Sequence, residues 1–303
     1  MIHNTLIQSP LNYTGGKYKL LSQLLLQFPC GIDTFVDLFC GGCNVGINVS
    51  AQKVIFNDNK NYLYNLYKTF LTYNKNDILL SVHEIIEKYG FSDTSKNGYA
   101  YYGADSSKGL GCFNRKPFIQ LRSDFNKKPH DKYYYMMLFV LTVFSFNNQI
   151  RFNAKGEFTT PVGKRDFNDK MKMKLSAFID RLQASNYYFD CKDFSYFETN
   201  ELTHNSLVYC DPPYLITCAT YNEQGGWDEN HEYSLLKWLD FLNSKNIRFA
   251  LSNVLVSKGK TNKILMEWAR KYHIVKLSFN YSNSNYHQRS KISDTQEVLI
   301  INY

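Results

Sequence analysis

No stretch of this sequence stays apolar for long. The longest nearly apolar run, YYYMMLFVLTVFSF from Tyr133 to Phe146, is too short to span a bilayer and fits a buried helix. The opening residues, MIHNTLIQSPLNY, lack the basic segment followed by an apolar segment that marks a secretory leader, so a cytoplasmic protein is expected. Internal repeats and low-complexity linkers are missing, which leaves no sign of a solenoid or a tethered array. A disulfide framework is also disfavoured. The seven cysteines, at positions 30, 40, 43, 112, 191, 210 and 218, are odd in number and irregularly spaced in a long chain. Cys40-Gly-Gly-Cys43 forms a C-x-x-C, but no second one exists to complete the four ligands of a zinc site, and no metal is expected.

What is present is basic and aromatic. The 303 residues suit one large domain, or a main domain with an insertion, and suffice for a sizeable core. Aromatic residues reach 16%, with 24 Tyr and 22 Phe, and the formal net charge is +8. Some of the rings must be core. Aromatics beside a basic surface also suit nucleobase stacking, and the charge favours an anionic partner, although a merely basic soluble protein carries such a charge equally well.

The chain divides by pattern. Lys17 to Phe28 (KYKLLSQLLLQF) has helical leucine spacing and stops before Pro29. Thr34 to Phe39 (TFVDLF) reads as a short strand, Gly41 to Gly46 as a turn, Val45 to Ala51 as the opening of a helix, and Lys53 to Asn57 (KVIFN) as a second strand closed by Asp58. This is half of a dinucleotide-type βαβ unit. Residues 62 to 150 are mostly helical, with a polar glycine-containing stretch from Asn97 to Gly111, and residues 151 to 166 are polar and turn-rich. Strands return at Tyr187–Phe189, Ser206–Cys210 and Arg248–Ser252, with a helix over 232–244. His273–Phe279 and Glu297–Tyr303 are expected to pair as a hairpin. The simplest architecture is an α/β sheet interrupted by a helical insertion.

Cys40 and Cys43 have two readings. A redox dithiol opens a helix after a strand, and this context partly fits. Alternatively, Gly41 and Gly42 are needed for themselves, because a glycine turn at a strand end lets the backbone approach a nucleotide-like ligand. That reading asks for an acid at the end of the next strand to bond a ribose hydroxyl, and Asp58 lies 17 residues beyond Gly41, near the expected offset.

The decisive stretch is VYCDPPYL, Val208 to Leu215. A plain strand-ending turn accounts for Asp and Pro. It does not require an aromatic after two prolines at the edge where open α/β sheets bind ligands. Such a segment presents a carboxylate, a carbonyl and a ring in one stiff cluster. An exocyclic adenine amine is a poor nucleophile because its lone pair is conjugated with the ring. Two acceptors on its hydrogens, the Asp211 carboxylate and the Pro212 carbonyl, would help the nitrogen become tetrahedral, with Pro213 stiffening the turn and Tyr214 stacking on the base. The base would have to leave the duplex to reach them.

With DPPY preceded by the glycine motif, the chain resembles the Dam-type (D12 class, alpha order) adenine-N6 DNA methyltransferases over nearly its whole length. LNYTGGKYKLL (11–21) is similar to the family's opening motif, which implies that Tyr13 and Lys17 contact S-adenosylmethionine. FVDLFCGGCNVG resembles its F-x-G-x-G motif and implicates Asp37, Phe39 and Gly41, with Cys43 standing where the family usually has a small residue, often Gly. Asp58 matches the ribose-binding acid. KDF (192–194) resembles the segment whose acid, here Asp193, reaches the donor's adenine, and Asp211 completes the implied cofactor set. NNQIRFNAKGEFTTPVG (147–163) resembles the family's recognition segment N-x-x-x-R-x-N-x-x-G-x-F-x-x-P-x-G, give or take one residue. HQRSKISDTQEVLIINY (287–303) resembles its C-terminal end, a basic loop leading into a strand.

The resemblance implies a Rossmann-like S-adenosylmethionine-dependent methyltransferase sheet built from 1–61 and 167–303, with target recognition in 62–166. It implies double-stranded DNA as partner, S-adenosylhomocysteine as product, a monomer in solution and, in some settings, a companion restriction endonuclease. Arg151 is the residue for guanine readout, because a guanidinium bonds a guanine edge bidentately. Phe146 and Asn147 would fill the gap left by the flipped base. Asn12, Gln149 and Asn153 would join the DNA contacts, and Arg289 and Lys291 would meet phosphates. GATC is the first target to consider, but GATC-methylating relatives generally carry lysine where Asn12 stands and often an apolar residue where Gln149 stands. Cytosine-N4 relatives usually carry Ser before Pro-Pro-Tyr, and protein-glutamine relatives Asn, so Asp211 speaks for adenine. A redox protein predicts that Cys40→Ser with Cys43→Ser destroys activity. A methyltransferase predicts that this pair is mild while Asp211→Ala is fatal, and a methyl-transfer assay on the two variants decides.

Overall fold

Short runs, most of them rich in Val, Ile, Leu and Phe, form the strands of one sheet. In chain order they are β1 (Ile32–Asp37), β2 (Ala51–Asn57), β3 (Tyr187–Asp190), β4 (Leu207–Cys210), β5 (Arg248–Ser257), β6 (Lys260–Thr261), β7 (His273–Lys276) and β8 (Gln296–Ile301). The helices are α1 (Leu21–Gln27), α2 (Asn61–Thr72), α3 (Lys75–Tyr89), α4 (Thr94–Tyr101), α5 (Gly111–Phe125), α6 (Lys132–Phe144), α7 (Asp169–Gln183), α8 (Glu229–Ser244) and α9 (Lys263–Ala269). The structure is a computed structural model, and it describes residues 6–13, 15–127, 131–217, 226–278 and 295–303. The chain forms two units. One comprises Met1–Gly16 with Lys60–Ser185, and the other Lys17–Asn59 with Asn186–Tyr303.

The second unit holds the sheet, in the order β3-β2-β1-β4-β5-β8-β7, with β6 paired to β5. From β3 to β5 the neighbours run parallel. β8 is antiparallel to both β5 and β7, so the expected pairing of the two C-terminal segments is found. All four residues of β4 are buried, as a strand covered on both faces requires. One face packs Val36, Val208, Phe249 and Leu251 against Leu235, Leu239 and Leu242 of α8 and Leu265 of α9. This is the mixed α/β, mostly parallel sheet that was expected.

Strand order reverses between β1 and β4. The chain builds outward from β1 through β2 to β3 on one side, and from β4 to β5 on the other. Asp37, the last residue of β1, lies in register with Tyr209 of β4. The segments leaving these two strands therefore start side by side at the carboxyl edge, the place where an open α/β sheet binds ligands.

The helix expected from Val45 to Ala51 is not there. A single 3-10 turn, Gly46–Asn48, is followed by Val49 in extended conformation and then by β2. Val45, Ile47 and Val49 are β-branched and alternate along the segment, which disfavours helix.

The other unit is helical. α6 has every residue from Tyr134 to Phe144 buried and is apolar all round, as a central helix must be. Around it, α2 supplies Leu63, Leu66, Tyr67 and Phe70, and α3 supplies Ile78, Val82, Ile85 and Ile86. α5 adds Phe118, Leu121 and Phe125, and α7 buries Leu175, Phe178, Ile179 and Leu182 against α2 and α3. Asparagine and aspartate side chains start α3, α6 and α7. Asn74 accepts from the Asn76 N–H at 2.8 Å, Asp131 from Tyr134 at 2.7 Å and Asn168 from Met171 at 3.1 Å. Among the described residues no helix is long and apolar enough to cross a membrane.

Candidate functional site

The turn after β1 is pinned from several sides. The Cys40 N–H donates to the Asn57 carbonyl at 2.8 Å, and the Gly41 N–H donates to Asp58 Oδ2 at 3.0 Å. Asn57, fully buried at the end of β2, donates to the carbonyls of Leu38 and Lys192 and accepts from the Lys192 N–H, each at 3.0 Å. One amide thus ties the ends of β1, β2 and β3 together. Asp37 is buried, and its Oδ2 accepts the Gly46 N–H at 3.0 Å. Gly46 is needed for space, because an added Cβ would lie 2.5 Å from the Phe56 ring and 3.1 Å from Asp37 Oδ2. Gly41 is needed for conformation, at φ 45°. Cys43 also sits at positive φ, 58°, where a side chain costs about 1 kcal/mol and glycine nothing.

The thiols of this turn are buried, and burial pushes Cys40 well above the usual thiol range, with Cys43 beside it adding to the rise. A shielded, protonated thiol is a poor nucleophile, which argues against a dithiol chemistry here. Among the described residues, no group of three or more His, Cys, Asp or Glu side chains is arranged to hold a metal ion.

Aromatic rings flank the turn. Phe39 packs against Phe194 with ring centroids 5.7 Å apart and edge-on against Trp227 at 5.8 Å. The Asp193 carboxylate is occupied locally. It caps the short turn Phe194–Tyr196, accepting from the Ser195 N–H at 3.0 Å and the Ser195 hydroxyl at 2.6 Å.

Beyond β4, Asp211 follows Cys210 directly. Lys17, in the 3-10 turn Lys17–Leu20 ahead of α1, is 5% exposed and places Nζ 2.8 Å from Asp211 Oδ1. The Tyr214 hydroxyl donates to the same oxygen at 2.8 Å, and Lys17 Nζ lies 4.9 Å from the centre of its ring. Pro212 is buried and Pro213 exposed. Burial lifts the Tyr214 phenol well above its usual range, and the charges of Asp211 and Glu297 add to this, so the hydroxyl keeps its proton and acts as a donor. Two side chains not singled out in the sequence stand here. Glu297 of β8 is 3.6 Å from Lys17 Nζ, and Ser252 of β5 is bonded to the Tyr209 hydroxyl at 2.8 Å. A carboxylate at the start of the apolar run VLII was the available signal for Glu297.

The recognition candidates fall in the helical unit, apart from Arg289 and Lys291, which lie outside the described residues. Residues 145 to 163 form an irregular hairpin bridged at Ser145–Val162 and Phe152–Phe158. Its base is tight. Gly163 N–H donates to the Phe144 carbonyl at 2.7 Å, and a Cβ on Gly163 would lie 2.2 Å from the Ser145 carbonyl. Asn147 and Asn148 are consecutive residues at positive φ, 54° and 53°, and Asn148 Nδ2 bonds the Val143 carbonyl at 2.7 Å. This arrangement leaves Phe146 48% exposed. Asn12 Nδ2 donates to the Asn147 carbonyl at 3.3 Å, and Arg151, exposed, donates from Nη2 to Gln149 Oε1 at 3.1 Å. Asn153 closes its own turn, accepting from the Lys155 and Glu157 N–H groups at 2.9 and 3.0 Å. Tyr13 is half-buried.

The family of D12 class N6 adenine-specific DNA methyltransferases matches residues 13–283. The chain is 42% identical over 306 residues to Type II methyltransferase M.FokI of Planomicrobium okeanokoites, covering 99% of this chain and 43% of that protein. It is 41% identical to Modification methylase StsI of Streptococcus sanguinis, with 98% and 43% covered. To the DNA adenine methylase of Salmonella typhi it is 27% identical, with 94% and 92% covered. The chain thus spans less than half the length of the first two relatives.

Such a family implies S-adenosylmethionine, and the residues present fit it. Its sulfonium and ammonium are cationic, and the ends of β1, β2 and β4 carry Asp37, Asp58 and Asp211, close enough for Asp37 to feel both other charges. Asp58 holds the glycine turn through the Gly41 N–H.

Burial pushes the Asp37 carboxyl up to about 7, against the Gly46 N–H, which favours the ionised form; Asp211 and Asp58 add to the rise. Between its ordinary value of 3.8 and about 7 the folded protein holds this proton while the unfolded chain has released it. The contribution of Asp37 to stability therefore falls as pH rises through that window. Asp37→Asn removes the titration. In thermal denaturation without cofactor, the midpoint of the variant minus that of the wild type is expected to grow from about pH 4 to about pH 7. A difference that stays flat across the window contradicts this assignment.

Proposed function

The chain belongs to the D12 class N6 adenine-specific DNA methyltransferase family, and from that premise we propose that it methylates adenine N6 at a short site in double-stranded DNA, acting on a base turned out of the duplex. The observation that carries this reading is the placement of Asp211. It leaves β4 beside the glycine turn that leaves β1, at the reversal of strand order, with Lys17 and Tyr214 on one carboxylate oxygen.

The Asp211 carboxylate and the Pro212 carbonyl accept the two hydrogens of the target amine. This draws the nitrogen lone pair out of conjugation and orients it. A carboxylate offers about four acceptor positions. Lys17 and Tyr214 engage Oδ1, so the group keeps capacity for the substrate. When bound, S-adenosylmethionine supplies the methyl group and leaves as S-adenosylhomocysteine. The amine proton released by transfer is taken up at Asp211. Tyr214 stacks on the base with the ring face that Lys17 does not cover. Phe39, beside Phe194 and Trp227, lines the donor site, with Asp58 on the ribose and Asp193 near the donor's adenine. Most of the rate comes from positioning and from charge arranged in advance.

Target recognition is assigned to residues 62–166. Arg151 reads a guanine edge, with Gln149 holding the guanidinium. Phe146 enters the gap left by the base, displayed by the strained Asn147–Asn148 pair. Asn12 supports Asn147, and Asn153 shapes the hairpin turn. Arg289 and Lys291 are assigned to phosphates. GATC is the first duplex to test, among other short adenine-containing sites. The names of two relatives, a type II methyltransferase and a modification methylase, support a companion restriction endonuclease.

The test uses labelled S-adenosylmethionine and unmethylated DNA, digested to nucleosides after incubation. Label in N6-methyladenine is expected. Label in N4-methylcytosine overturns the base assignment, and no label beside an active control enzyme overturns the enzymatic reading. Arg151→Ala is expected to lose about 1–3 kcal/mol of discrimination at one base pair, measured as relative methylation rates across single-substitution duplexes. A uniform loss on all duplexes would mark Arg151 as a phosphate contact instead.

A further inference from the structure

Glu297 is a carboxylate in a strand otherwise built for burial. Val298, Leu299 and Ile300 after it are fully buried, and its own side chain is 12% exposed. Its place beside Val254 of β5 puts it on the sheet edge that carries Asp211. Glu297 Oε1 lies 3.3 Å from the Tyr214 hydroxyl and 3.6 Å from Lys17 Nζ. The same hydroxyl and the same ammonium each stand 2.8 Å from Asp211 Oδ1. Two carboxylates therefore share one ammonium and one phenolic proton. Asp211 has the shorter contact to both.

That asymmetry has a chemical consequence. A buried ammonium paired with one carboxylate neutralises it and weakens it as an acceptor for any third group. The amine of adenine is a feeble acid, so Asp211 must keep its negative charge effective to polarise it. A second carboxylate on Lys17 draws part of the ammonium's field away from Asp211. It also fixes where Lys17 and the Tyr214 hydroxyl sit, and so fixes the rotation of the Asp211 carboxylate.

We propose that Glu297 is a positioning residue that shares Lys17 and Tyr214 with Asp211, so that Lys17 does not fully neutralise the Asp211 carboxylate and the carboxylate stays turned toward the target amine. This rests on the adenine-N6 reading of the site. Substitution should act on the transfer step and spare binding of donor and duplex.

The experiment compares this chain with its Glu297→Gln and Glu297→Asp variants. It measures single-turnover methyl transfer, calorimetric binding of S-adenosylmethionine, and fluorescence of a duplex with 2-aminopurine at the target position. Glu297→Gln is expected to slow transfer about ten- to a hundredfold, with donor affinity and base extrusion unchanged. Glu297→Asp keeps the charge and is expected to recover most of that rate. A role in shape or hydrogen bonding alone predicts the reverse order, because Gln is nearly isosteric and still accepts from Tyr214. Wild-type speed in Glu297→Gln, or Gln faster than Asp, overturns the proposal.

A second measurement does not depend on activity. The thermal midpoints of Lys17→Met, Glu297→Gln and the double variant, without cofactor, report whether the two residues are coupled. A double-variant shift smaller than the sum of the single shifts is expected, and additive shifts overturn the proposal. If the wild-type chain transfers no label to adenine while the midpoints show coupling, it is the adenine-N6 reading that fails.

Discussion

A buried ammonium sets the terms for the sheet unit. Lys17 is withdrawn from water, and such a charge is tolerated only beside partners of opposite sign. Asp211 and Glu297 are those partners, and each arrives on a different element: the end of β4 and the start of β8. The 3-10 turn before α1, the carboxyl edge of β4 and the antiparallel docking of β8 on β5 must all be in place for the charge to be satisfied. Deleting one partner of a buried pair costs about 3–5 kcal/mol, because the other is left uncompensated. The ion pair that prepares the site is thus also a check on the fold around it.

Around that pair the sheet edge is acidic. Asp37 braces the glycine turn through the Gly46 N–H, Asp58 holds the Gly41 N–H, and Asp211 faces both across the reversal of strand order. Burial first, and then the crowding of like charges, raises the cost of ionising Asp37. A cationic ligand would relieve that cost. The thiols of Cys40 and Cys43 take no part in this. They fill space in a turn whose geometry is set by Gly41, Gly46 and the backbone.

The helical unit solves a different problem. An exposed aromatic has to be held still, and Phe146 is displayed from a hairpin whose base admits no Cβ at Gly163 and holds two asparagines in left-handed conformation. The Asn148 amide donates to the last carbonyls of α6, and the Asn147 main-chain carbonyl accepts from Asn12. Strain of this kind persists only where packing over-determines the backbone, and α6, buried along its length, supplies that packing.

What could be read from the sequence was local. DPPY after an apolar strand, a glycine turn with Asp58 one strand later, and the apolar run that became α6 each announce themselves within a few residues. Periodicity misjudged the segment after the turn, where alternating β-branched residues and the Asp37–Gly46 bond leave one 3-10 turn in place of a helix. The partners of Glu297, the Asn57 clamp and the buried state of Lys17 were out of reach, because each depends on residues dozens or hundreds of positions away. The sequence by itself determined the chemistry, since residue types in short motifs decide which groups can accept a proton, approach a phosphate or stack on a ring. Only the tertiary structure decided which carboxylate shares its cation with which. Strand order, a property of the whole chain, brings β1, β4 and β8 to one edge, and the electrostatics of a buried site depend on distance in space.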